Sequence, residues 1–117
     1  MASEFYRDRR KIGFAFKNII DFKSYIKELS PEIEGYIYRV KLMNLAKSLI
    51  SASAEQYRTK YELQDRRPDD MKMALNLTGT LRRIYVYLNE VEEAEEQKKI
   101  YDLWKKKLDT DLKAMKK

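Results

Sequence analysis

Glu92, Glu93, Glu95 and Glu96 are the densest group of side chains in the chain that could do acid–base chemistry. Paired carboxylates divide into acid and base when their surroundings push their pKa values apart. Contiguous acids at the start of a helix usually stay solvated and complement the positive end of its dipole. Di-metal helical bundles use inward Glu-x-x-His pairs, and the 117 residues include no histidine. Cysteine is absent too, which removes thiolate nucleophiles, disulfides and cysteine zinc sites, and the lack of histidine removes every Ser-His or Cys-His pair. Carboxylate-only or lysine-based catalysis stays open, but no residue pattern supports it. The expectation is a protein that is not an enzyme and needs no cofactor or metal.

A second chemistry, phosphate binding, is better supplied. Arg7, Arg9, Arg10 and Lys11 form one basic cluster, Arg66 and Arg67 another, Arg82 and Arg83 a third, and Lys105 to Lys107 a fourth. Mobile cations of this kind bind polyanions by releasing counterions. The net charge is +6 and the pI about 9.4. Residues 1–27 carry seven positive and three negative charges, so most of the excess lies at the N-terminal end. Charged residues are 38% of the chain, so ordinary solvated helix surface is the competing account of the clusters. Tyr6, Tyr25, Tyr38 and Tyr87 could stack on bases where exposed, although core or interface is the commoner use of a bundle tyrosine.

The elements that must position these residues read as helices. Three glycines and two prolines interrupt the chain, while Lys, Glu, Leu and Ala abound. The first segment, about 3–29, aligns Ile12, Phe16, Ile19, Phe22, Ile26 and Leu29 on one face. Gly13 weakens its start, so residues 1–11 are a possible basic arm. Ser30-Pro31 suits an N-cap followed by proline at the first helical position, which predicts a tight turn and a second helix from Pro31 to about Leu63. That helix carries one stripe through Tyr36, Val40, Met43, Ile50, Ala54, Tyr57 and Tyr61, and another through Tyr38, Leu42, Leu45, Leu49 and Ala52. So much apolar surface predicts several neighbours or a second subunit. The polar stretch 65–70 leads to a third helix, capped by an aspartate, that turns Ala74, Leu77, Leu81, Ile84, Tyr85 and Leu88 inward and ends near Val91. The fourth buries Ile100, Leu103, Trp104, Leu108, Leu112 and Met115. Small residues at 48 and 51–54, with Gly79, predict close contact between helices two and three. The whole is one all-α domain, an up-down-up-down four-helix bundle.

Ala46-Lys47-Ser48-Leu49 followed by Ala54-Glu55 resembles the A-x-S-[IL]-x-x-x-x-A-E pattern of the four-helix bundle proteins encoded in 23S ribosomal RNA intervening sequences. Leu77-Thr78-Gly79-Thr80-Leu81 is similar to an A-L-G-S-L segment in their third helix. As a helix layout the resemblance spans about residues 14–115. Ala52 stands in place of an asparagine of that group and Gln56 in place of a glycine, which points to the looser branch, the accessory variability determinant proteins of diversity-generating retroelements. That resemblance implies a basic bundle that assembles as a pentamer and binds a reverse transcriptase and nucleic acid.

No apolar run is long enough to span a membrane, and Met1 to Arg7 lack the apolar stretch of a signal peptide, so a cytoplasmic protein is expected. The functional expectation is a homo-oligomeric accessory protein that binds RNA or DNA with little sequence preference. Arg7, Arg9, Arg10, Lys11, Arg66, Arg67, Arg82 and Arg83 would contact phosphates. The alternative is a protein–protein interaction module, such as a phage-type inhibitor or adaptor, that binds no nucleic acid.

Overall fold

A computed structural model describes residues 22–27 and 29–115. These form four α-helices: α1 (Phe22–Lys27), α2 (Tyr36–Lys60), α3 (Pro68–Tyr87) and α4 (Val91–Met115). No strand occurs among the described residues. The protein is all-α. The expected burial of Ile12, Phe16 and Ile19, and the basic arm at 1–11, lie outside the described residues.

α2 begins five residues later than Ser30-Pro31 suggests. The Ser30 hydroxyl is spent on Glu32, donating to its carboxylate at 2.6 Å instead of accepting a backbone N–H. Residues 31–35 turn, with the Ile33 N–H on the Ser30 carbonyl at 3.0 Å. Gly35 then takes a left-handed φ of 83° and accepts the first helical bond from the Arg39 N–H. A side chain at that φ would be strained, so glycine permits the late start.

A π-helical turn, Tyr61–Asp65, extends α2 and closes where the Arg66 N–H donates to the Tyr61 carbonyl. Arg66 adopts a φ of 49° and Arg67 is extended, which redirects the chain into Pro68. No aspartate caps α3. Pro68 occupies its first position, where a missing N–H costs nothing, and Asp69 and Asp70 sit in the first turn. Asp70 is buried beside the ammonium of Lys60, at 3.7 Å.

α3 stops at Tyr87, earlier than Val91, in a Schellman arrangement. The Glu90 N–H reaches the Tyr85 carbonyl at 2.8 Å, the Asn89 N–H reaches that of Val86 at 3.1 Å, and Asn89 has a φ of 64°. The Glu90 carbonyl accepts the Ala94 N–H, so one residue ends this turn and starts α4.

The core lies around α3. Met71, Ala74, Leu77, Leu81 and Ile84 are at most 1% exposed, with Met43, Ala46, Ile50 and Ala54 of α2 on one flank and Trp104 and Leu108 of α4 on another. Tyr25 and Ile26 of α1 pack on the same cluster. Two residues expected inside are not. Leu103, 67% exposed, projects about 100° away from Trp104 on the helix. Met115, 53% exposed, lies where the 25 residues of α4 outrun the 20 of α3.

Gly79 was expected against the small residues of α2, but it faces α4. A Cβ there would lie 3.7 Å from Cε2 of the Tyr101 ring, at ordinary contact distance. Gly79→Ala should therefore raise stability by about 0.5–1 kcal/mol through helix propensity, read as a higher denaturant midpoint. Trp104→Ala should lower stability by about 3–5 kcal/mol. An unchanged midpoint for that variant would show that the α4 face is misassigned.

Candidate functional site

The described basic clusters are not all gathered on one patch. Arg82 and Arg83 project outward between the buried Leu81 and Ile84, and both are exposed. The Arg83 guanidinium is steadied by the Thr80 hydroxyl at 3.2 Å. Arg66 and Arg67, also exposed, hold the α2–α3 junction. Arg67 and Arg82 are fifteen residues apart along α3, a rise of about 22 Å. Arg7, Arg9, Arg10 and Lys11 lie outside the described residues.

The fold does bring together two clusters far apart in sequence. Arg66 and Lys107 line one cleft of about 280 Å³ with Tyr61, Glu62, Leu63 and Asp111. At its floor the Tyr61 hydroxyl donates to the Asp111 carboxylate at 2.5 Å, and Lys107 holds the other carboxylate oxygen at 3.3 Å. The tyrosine bond, helped by Lys107, keeps the Asp111 carboxyl below the usual carboxylate range against the opposing effect of burial. Burial, with the bond to Asp111 adding to it, pushes the Tyr61 phenol up to about 12. This pair escaped the sequence reading because an aspartate among lysines looks solvated. Its signal was position, since Asp111 stands seven residues after Trp104, on the buried face of α4.

Elsewhere the charges are mixed. Lys105, Lys106 and Lys113 share a shallow groove of α4 with Asp102, Asp109 and Thr110, which dilutes its positive field. Lys47 pairs with Glu90 at 3.3 Å and lies 5.3 Å from the centre of the Tyr85 ring, so it ties α2 to the α3–α4 turn. The four glutamates at 92, 93, 95 and 96 are exposed.

The tyrosines divide by exposure. Tyr25 is engaged, its hydroxyl donating to the Arg39 carbonyl at 3.0 Å. Tyr38 is 77% exposed and Tyr87 43%. Tyr87 follows Arg83 by four residues, so a cation and an open ring share one side of α3. Tyr6 lies outside the described residues.

The profile of the TP0443 family matches residues 5–112, which takes in α1, α2 and α3 whole and α4 as far as Leu112. The chain belongs to the TP0443 family. No curated protein and no solved structure matches it. The span shared with the TP0443 family includes both the Arg83–Tyr87 side of α3 and the Arg66–Lys107 cleft.

The Tyr61–Asp111 bond links stability to pH in two windows. The Tyr61 pKa is raised above its ordinary 10.0, so its contribution is complete below pH 10 and lost as pH rises toward 12. The Asp111 pKa is depressed, so its contribution holds above the usual carboxylate range and is lost as pH falls through the folded value. In melting temperature against pH, Tyr61→Phe should flatten the alkaline fall and Asp111→Asn the acid fall. Alkaline falls of equal depth in Tyr61→Phe and the parent protein would contradict the pairing.

Proposed function

We propose that this TP0443-family protein is a basic nucleic-acid-binding accessory protein, without catalytic activity of its own, that assists a reverse transcriptase or similar polymerase. In this reading it works as a homo-oligomeric, up-down-up-down four-helix bundle. The observation that carries it is an exposed arginine beside an open aromatic ring at one end of α3 and an exposed arginine beside a second cation at the other. Arg83 has the open Tyr87 ring one turn away, which suits a phosphate contact beside a stacked base. Arg66 shares its cleft with Lys107, which suits a second backbone phosphate. The roughly 22 Å between the arginine pairs fits a strand that tracks the molecule along α3, with Arg7, Arg9, Arg10 and Lys11 adding further charge. Such contacts position a backbone and carry little base information. The resemblance of the Ala46–Glu55 and Leu77–Leu81 segments to accessory variability determinants and intervening-sequence proteins supports the polymerase-associated role.

A second reading rests on a different observation. Exposed Tyr38, Leu42 and Leu45 of α2 are an apolar surface of the kind that meets another protein, and an adaptor that binds no nucleic acid would use it.

The two readings part on salt. On the first, the protein binds RNA and DNA with little sequence preference, and affinity falls as salt rises. Each phosphate contact contributes about −0.9 to the slope of log affinity against log salt on duplex DNA and about −0.7 on single strands. Replacing Arg9 and Arg10, Arg66 and Arg67, or Arg82 and Arg83 with alanine should make the slope shallower while helical content stays the same. Equally poor binding by the parent protein and all three double variants at physiological salt would leave only the adaptor reading.

A further inference from the structure

The stripe of α2 that the core leaves outside has a period of its own. Tyr38, Leu42, Leu45, Leu49, Ala52 and Gln56 follow one another in alternating steps of four and three. Tyr38, Leu45 and Leu42 are 77%, 51% and 39% exposed, and the other three are half-buried. The buried Met43, Ala46 and Ile50 point to α3 instead. A mean step of 3.5 residues is the spacing of a helix–helix seam.

Charge along one flank of the stripe says what covers it. Lys41 and Glu55 stand seven residues before and seven residues after Ser48, so all three lie on the same flank. Lay a second copy of α2 antiparallel on the first, with Leu45 against its Leu49. Leu42 then meets the other Ala52, a large side chain beside a small one, and Tyr38 meets the other Gln56. Lys41 falls beside the other Glu55 on both sides of the axis, and Ser48 sits near the axis itself. A parallel pairing sets Tyr38 beside Tyr38 and separates Lys41 from Glu55. The Gln56 amide oxygen has no hydrogen-bond partner among the described residues. That oxygen is buried within the subunit, and a side-chain rotation that turned it outward in the antiparallel pair would let it accept the hydroxyl of the second copy's Tyr38.

We propose that α2 pairs with α2 of a second copy about a two-fold axis near Ser48, giving an isologous dimer. This deepens the homo-oligomeric part of the proposed function and does not depend on nucleic acid. Self-complementarity of one surface is the requirement of a two-fold contact, whereas a cyclic ring uses two different surfaces.

Light scattering of the full chain at micromolar concentration, without nucleic acid, should read twice the 14.1 kDa of one chain. Leu45→Glu should read a single chain with unchanged circular dichroism, because Leu45 is exposed in the subunit. Lys41→Glu should raise the dimer dissociation constant roughly tenfold, as two weak attractions become repulsions, and adding Glu55→Lys should restore it. The chain has no cysteine, so Ser48→Cys can crosslink only to its own copy. Oxidation should give a covalent dimer with Ser48→Cys and none with the control Leu103→Cys, also at an exposed position. A monomeric parent protein would overturn the proposal and assign the stripe to residues 1–21 or to a different protein. A pentamer or other ring, or a dimer indifferent to Leu45→Glu, would overturn it as well. Because the masses are read without RNA or DNA, failure here leaves the phosphate contacts standing, and failure to bind nucleic acid leaves the dimer standing.

Discussion

α3 has apolar residues on too much of its circumference to be covered by one neighbour. Met71, Ala74, Leu75, Leu77, Leu81 and Ile84 are all buried, so neighbours must cover the helix on more than one flank. Even its buried hydroxyls are satisfied within the helix, Thr78 donating to the Ala74 carbonyl at 2.8 Å and Thr80 to that of Asn76 at 3.0 Å. α2 and α4 take the two flanks. Long side chains span between them, Tyr61 to Asp111 and the Arg58 guanidinium 5.7 Å from the Trp104 ring. Burial of α3 thus dictates where the other helices lie and which of their faces remain outside.

The two ends of α3 are fastened by different devices. At one end a proline starts the helix two residues after the left-handed Arg66, and the Tyr61–Asp111 bond closes the gap to α4. At the other, a left-handed Asn89 completes a Schellman turn, and Glu90 reaches back to Lys47. Both devices leave arginines on the outside, Arg66 and Arg67 at the first and Arg82 and Arg83 near the second. The proposed interface for nucleic acid is therefore a consequence of how the central helix is anchored. The outer stripe of α2 is a consequence of the same packing, since a helix that covers α3 with one row of apolar residues still carries a second.

The helical class, the Pro68 boundary and the burial of Ile50, Leu81 and Trp104 were legible from periodicity and breakers. Both stripes of α2 were legible too, and the structure buries one and leaves much of the other open. Three features were not. The start of α2 turned on whether Ser30 would bond a backbone N–H or the side chain of Glu32, a choice that composition does not decide. Gly79 faces Tyr101 because of how α4 is rotated, which the small-residue pattern does not encode. Arg66 and Lys107 share a cleft only through the packing of α4 beside the α2–α3 junction, so no local motif could have joined them. Charge clusters were visible as strings, while their spacing of about 22 Å along α3 came from the helix that carries them.

The central claim, that nucleic acid lies along the cationic side of α3, is tested most directly by backbone amide shifts during titration with a short single-stranded RNA. The account predicts progressive shifts at Arg66, Arg67, Arg82, Arg83 and Tyr87, reversed by added salt, with the amides around Met43 and Ile50 unmoved. Shifts confined to Tyr38–Leu49, or no shifts at low salt, would contradict it.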